Sequence, residues 1–265
     1  MSTFFEKIND LDILLHCDGY EREYFFAECS RLAYKGQKLA SKEFKKVGFT
    51  SYKFCSVEGA QCHIVKNRDY IVIAFRGTEP RQFSDIKADL MAWKRKSRTE
   101  GHVHAGFKNE LDKLWADIKM GLSRKGDRTI FLCGHSLGGA IATVCASRLE
   151  KDVEELYTYG SPRVGGDIFR DNLLVDHCRV VNNNDMVAKV PFWFMGYRHH
   201  GYLTYINHYG NIREMTSWQK LKDQIRGRWC ALRKFQMFDG IRDHDINKYC
   251  KKLKRLIKIE PTFGD

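Results

Sequence analysis

The sequence predicts an α/β fold: a mainly parallel central sheet with helices on both faces. Three observations predict it. Strand-like and helix-like segments alternate along most of the chain, the pattern of strands joined by helical crossovers. Residues 71–75 (IVIAF) are apolar on both sides, as a strand covered on two faces requires. Residues 129–133, a short apolar strand, pass through a glycine-rich turn directly into residues 136–149, a helix rich in alanine and other small side chains.

Each element follows from local spacing. Residues 21–35 place Phe25, Cys29, Leu32 and Ala33 at helical intervals, which predicts a helix packed on a core. Residues 51–57 and 61–65 alternate as strands do. Lys66, Asn67, Arg68 and Asp69 form a turn signal, so a hairpin leads into residues 70–75. Residues 106–124 read as an amphipathic helix with Leu111, Leu114, Trp115, Ile118 and Leu122 inward, ended by Gly126 and Asp127. Residues 156–159 and 179–182 are further short strands. There are only 4 prolines and no Pro/Gly/Ser-rich linker, so residues 1–265 are expected to form one domain.

Composition excludes several classes. Of the 265 residues, 43% are hydrophobic and 29% charged, an ordinary globular balance. The longest apolar runs, residues 71–75 and 192–195, fall far short of the roughly 18 residues a membrane-spanning helix needs. No repeat of solenoid or propeller length occurs. Glu6, Asp10 and Asp12 interrupt every apolar run that a secretory leader would use, which predicts a cytoplasmic location, with peripheral contact at membranes as an option. The 9 cysteines are odd in number and never spaced as Cys-x-x-Cys, which favours reduced, buried thiols over a zinc site or a disulfide framework. Net charge is +12, and residues 216–258 carry 13 Lys/Arg against 4 Asp/Glu. Two readings of that basic stretch stand: a face for an anionic partner such as a membrane surface, or a solvated face that keeps the chain soluble. No nucleic-acid module is recognisable, so nucleic acid is not an expected partner.

One motif carries chemistry. Gly134, His135, Ser136, Leu137 and Gly138 form G-x-S-x-G between the strand and the helix described above. In that setting the serine occupies a strained turn that lifts its hydroxyl off the sheet edge. Glycines at 134 and 138 avoid side chains that would collide where strand and helix pack. The helix N-terminus offers free N–H groups and positive dipole to a developing oxyanion.

Four motifs in order now resemble a known family: Phe75-Arg76-Gly77-Thr78, Val103-His104-Ala105-Gly106-Phe107, the GHSLGGA segment beginning at Gly134, and the YGSPRVG segment beginning at Tyr159. Together they resemble the class 3, fungal-type triacylglycerol lipases on the α/β-hydrolase fold, over roughly residues 55–250. The resemblance implies a serine-dependent hydrolase of lipid esters working through an acyl-enzyme, with neither metal nor cofactor. A phospholipase A-type activity on anionic membranes and a catalytically silent lipid-binding member of the fold are the alternatives.

The resemblance also orders the remaining machinery as serine, acid, histidine. Asp185 follows strand 179–182 in a segment similar to the family's acid loop, although Met186 stands where the family more often has proline. Asp167 and Asp176 follow no strand so directly. Asp243-His244-Asp245 with Tyr249 resembles the family's C-terminal His–x–x–x–x–Tyr element, so His244 is the expected base. His199 matches a non-catalytic family segment. Thr78 and the backbone N–H of Leu137 are the implied oxyanion hole. Arg76 is expected to be an anchor needing a carbonyl or carboxylate partner. Between the oxyanion loop and residue 103, the resemblance implies a helical lid over about residues 80–100. There Phe83, Ile86, Leu90 and Trp93 form one apolar stripe, flanked by Lys87, Lys94, Arg95 and Lys96. Such a helix suits a membrane interface, and equally an ordinary surface packed on the core. The aromatic segment 191–197 (PFWFMGY) suits either an acyl groove or core packing. A basic tail is expected from about residue 250 to 265.

Overall fold

The computed structural model describes residues 3–6, 8, 11, 14, 19–78, 93–212, 216, 218–219, 222–223 and 242–257. Helices α1 (Tyr20–Leu32) and α2 (Gln37–Lys46) precede strands β1 (Ser51–Val57), β2 (Ala60–Lys66) and β3 (Tyr70–Phe75). A short ribbon, β4 (Lys94–Lys96) and β5 (His102–His104), leads into α3 (Ala105–Leu122). Then come β6 (Thr129–His135), α4 (Leu137–Leu149), β7 (Val153–Tyr159), α5 (Asp167–Asp171), β8 (Asp176–Asn182), β9 (Tyr202–Ile206) and α6 (Ile246–Leu256). The main sheet runs β1-β2-β3-β6-β7-β8-β9. The first two pairings are antiparallel, and every pairing from β3 onward is parallel.

Strand alternation divides the core in two. On β3, Tyr70, Val72 and Ala74 join a cluster with α1, α2 and α6. Ile71, Ile73 and Phe75 join a second cluster with α3 and α4 on the opposite face. On β6, Phe131 and Cys133 face the first cluster while Ile130 and Leu132 face the second. All seven described cysteines are free and buried in these layers.

Six elements escaped the sequence reading, among them the short β4, β5 and α5. α2 has polar residues on most of its surface and buries only Ala40, Glu43 and Phe44. β9 is an edge strand whose exposed half hides the pattern. α6 replaces the expected basic tail as far as Ile257: Ile246, Tyr249, Cys250, Leu253 and Leu256 are buried against α1, and the lysines line its outer face. Its basic composition masked an amphipathic helix. Residues 258–265 lie outside the described residues.

Register positions the functional edge. Phe75 pairs with Gly134, His135 with Tyr159, and Tyr159 with Val180. The carboxyl ends of β3, β6, β7 and β8 therefore finish side by side, the edge where open α/β sheets hold their sites.

Candidate active site

The turn between β6 and α4 is one residue long. Ser136 has φ 60° and ψ −131°, an unfavourable backbone for a side chain with a Cβ, costing on the order of 1–3 kcal/mol. Tertiary contacts impose it. The Ser136 N–H donates to the Tyr159 carbonyl at 2.9 Å, tying the turn to β7. A Cβ on Gly134 would sit 2.4 Å from the Gly138 carbonyl carbon, and one on Gly138 would sit 2.3 Å from the Phe75 carbonyl oxygen. Both glycines are thus required by close backbone approach, as the motif predicted.

Ser136 Oγ lies 2.8 Å from His244 Nε2. On the far side of the ring, His244 Nδ1 lies 2.9 Å and 3.1 Å from the two oxygens of Asp185. The carboxylate can only accept, so Nδ1 carries the proton and Nε2 offers its lone pair to the serine hydroxyl. Ser136, Asp185 and His244 are respectively 1%, 0% and 4% exposed, so this chain of bonds is shielded from bulk water.

Neighbouring side chains hold each member. Tyr249 donates its O–H to Asp185 Oδ2 at 2.5 Å and accepts from the Asn182 N–H at 3.1 Å. Burial and the adjacent Asp185 charge push the Tyr249 hydroxyl well above its ordinary pKa, so it stays a donor. The Val187 N–H donates to Asp185 Oδ1 at 2.9 Å. His135 Nε2 donates to the His244 carbonyl at 2.6 Å, which leaves Nδ1 to accept from the Tyr34 hydroxyl at 2.8 Å. Burial, and secondarily the nearby His244, holds His135 well below its usual range, so it is neutral. Asp243 joins the two loops: Oδ2 accepts from Asn183 Nδ2 and the Asn184 N–H, and its carbonyl accepts from Asn182 Nδ2. Tyr249 carried a signal in its spacing from His244. The supporting roles of His135, Tyr34 and Asp243 carried none, because their partners are distant in sequence.

The other predicted residues sort as follows. Leu137 opens α4, where a helix's first N–H groups have no acceptor within the helix. Thr78 follows β3, and a Cβ on its neighbour Gly77 would lie 3.2 Å from Ser136 Cβ, so the segment passes beside the serine. Arg76 Nη1 donates to Gln61 Oε1 at 2.6 Å, which supplies the carbonyl partner it was expected to need. His199 Nε2 donates to the Ala188 carbonyl at 2.8 Å and lies apart from the serine. Phe83, Ile86 and Leu90 lie outside the described residues, as does Lys87. Trp93 is 90% exposed, and from Lys94 the chain is strand β4, so a helix over the whole of 80–100 is corrected at that end. Segment 191–197 is split: Tyr197 is buried, while Phe192, Trp193 and Phe194 are exposed.

The model of the family "Lipase (class 3)" matches residues 72–195, which include Ser136 and Asp185 but end before His244. A secreted mono- and diacylglycerol lipase 1 of Fusarium solani is 42% identical over 106 residues, 37% of this chain and 32% of that protein. Secreted mono- and diacylglycerol lipase A of Penicillium cyclopium is 31% identical over 149 residues, 49% of this chain and 45% of the relative. The chain thus spans less than half the length of these relatives. A lipase structure from Rhizopus microsporus var. chinensis superposes with a TM-score of 0.59 at 25% identity, covering 70% of this chain and 74% of the other. A Rhizomucor miehei lipase–propeptide complex superposes with a TM-score of 0.61 at 21% identity, covering 71% and 66%. The cytoplasmic location expected above is withdrawn on these findings, because the matching fungal relatives are named as secreted. Composition and buried thiols describe a folded domain and not its destination. The glycine-bounded serine turn, the ordered strand ends and the family match over residues 72–195 together support the resemblance to the class 3 lipases and give the chain the α/β-hydrolase fold.

Proposed function

We propose that the chain is a carboxylic ester hydrolase acting on lipid esters, with Ser136 as nucleophile, His244 as base and Asp185 as orienting acid. The unbroken hydrogen-bond run from Ser136 through His244 to Asp185 carries this reading. His244 Nε2 takes the serine proton as Oγ attacks the ester carbonyl, and Asp185 stabilises the imidazolium that forms. The Leu137 N–H and Thr78 supply the oxyanion hole. His244 then protonates the leaving alcohol, and water repeats the cycle on the acyl-enzyme. Glycerol esters with one or two acyl chains are the proposed substrates, in line with the names of the fungal relatives.

Residues 1–265 act as one domain in this proposal, with residues from about 80 to 93 as the lid. Because Ser136 is 1% exposed, an ester reaches it only after its cover moves. Trp93, Phe192, Trp193 and Phe194 present exposed aromatic surface, beside Lys94, whose ammonium is held by the Met195 and Gly196 carbonyls. Aromatic rings beside cationic side chains suit an anionic lipid surface.

Hydrolysis of p-nitrophenyl esters from acetyl to palmitoyl, and of mono- and diacylglycerol emulsions, tests the reading. Ser136→Ala is expected to fold and to lose turnover by on the order of 10⁶-fold. A folded wild-type chain without turnover on any of these, or an S136A chain that keeps it, would overturn the proposal. Turnover confined to phospholipid vesicles would move the assignment to a phospholipase A.

A further inference from the structure

Behind the catalytic loops lies a second polar cluster that ester hydrolysis does not use. A cavity of about 10 Å³, room for one water-sized particle, is lined among others by Ser161, His177, Arg179, Arg198, His199 and His200. No Asp or Glu is among the residues that line it. It sits one segment away from the triad: Gly160, just before Ser161, packs against Asp185 and His244.

Accounting for donors isolates one group. Thr158 Oγ1 lies 2.8 Å from His177 Nε2, His177 Nδ1 lies 3.1 Å from His200 Nδ1, and His200 also bonds the Leu173 backbone. A single direction satisfies this chain with neutral rings: Thr158 donates to His177, His177 to His200, and His200 to the carbonyl. His199 spends its Nε2 proton on Ala188. Arg198 donates to the Trp193 and Tyr197 carbonyls and pairs with Asp167. Arg163, a few residues beyond Ser161, donates to the Lys189 and Pro191 carbonyls. Arg179 is different. Its Nε is buried without an acceptor, and no carboxylate pairs with it among the described residues. Burial, and then the Arg163 charge, lower its pKa to about 10, so it is still a cation at neutral pH.

A cation whose Nε is buried unpartnered, with no counter-charge among the described residues, is costly, and a water in the cavity would satisfy the N–H but leave the charge. We propose that this cavity is the site of one small monovalent anion of the halide class, held by Arg179. The anion also screens Arg179 from Arg163. Arg163 and His199 hold the carbonyls of residues 188, 189 and 191, just downstream of Asp185. The bound anion therefore stiffens the loop that carries the acid.

The test compares the full chain in sodium chloride and in sodium gluconate, whose anion is too large for the cavity, at constant ionic strength. The melting temperature is expected to rise saturably with chloride, by about 3 °C or more once chloride exceeds the dissociation constant tenfold. Arg179→Gln is expected to melt cooperatively in gluconate and to show no chloride dependence. Crystals of the unaltered chain grown with bromide give a second readout that needs no variant: an anomalous peak within hydrogen-bond reach of the Arg179 guanidinium. Equal melting in the two salts, or bromide-grown crystals with only water at Arg179, would overturn the proposal. Neither readout depends on ester hydrolysis.

Discussion

At the residue scale, the arrangement rests on which atom of each side chain holds a proton. Asp185 receives donors from His244, Tyr249 and the Val187 N–H, so its charge is oriented as well as buried. A carboxylate that only accepts fixes the His244 tautomer that leaves Nε2 free to act as base. Tyr249→Phe removes one of the three and strips the Asn182 N–H of its acceptor. The expected result is a fall in kcat of about tenfold at nearly constant KM, with about 1–3 kcal/mol lost from stability. Steady-state kinetics beside urea melts measure both; an unchanged kcat would mean that the carboxylate is held well enough without the phenol.

At the scale of elements, α6 does for His244 what the β6–α4 turn does for Ser136. His244 stands two residues before the helix, and Asp245 caps it by accepting from the Asn247 N–H at 3.0 Å. Leu253 is fully buried in the α1 layer, so the position of the histidine depends on packing two turns away. Leu253→Ala is expected to cost about 2–5 kcal/mol. Because α6 docks along one face only, its amides should also lose protection ahead of the sheet's. Hydrogen exchange on the variant separates these cases: uniform loss of protection over α6 and β6 together would refute a local role for the helix.

At the scale of the whole molecule, burial of histidines sets an acid limit. Burial lowers His63 to about 4 and holds His135 and His177 well below their ordinary value near 6.5. The unfolded chain therefore takes up protons first as pH falls below about 6.5, and linkage makes the native state lose stability from there downward. Glu23 and Glu28 act in the opposite sense: burial raises their pKa, so they favour the native state in acid and cost stability as pH rises through their native values. His199 and His200 are lowered too, so the histidines outnumber the two carboxyls. The melting temperature is expected to fall by several degrees between pH 7.5 and 5.5. Thermal melts across that range check it, and a flat or rising profile would show that the carboxyls dominate.

How much of this was legible follows from the range of the forces involved. The serine turn was legible because Gly134, Ser136 and Gly138 stand within one short pattern, although the contacts that require Ser136 and Gly138 reach Tyr159 and Phe75. The strands around residues 71 and 131 were legible because both faces are buried and both read as apolar. Asp185 and His244 emerged through chain order and short motifs. The amino-acid sequence by itself thus determined the fold class, the positions of the central strands along the chain and the identity of the serine turn. Only the tertiary structure decided that α6 is a packed helix and not a basic tail, since its lysines hide a stripe visible once α1 lies against it. It alone also revealed His135 beneath His244, Asp243 between the two loops and Arg179 without a counter-charge among the described residues. Hydrogen bonds and uncompensated charge join atoms that are near in space, and in these cases the partners stand about 60 to 110 residues apart or lie on different elements. Spacing along the chain carries no record of them.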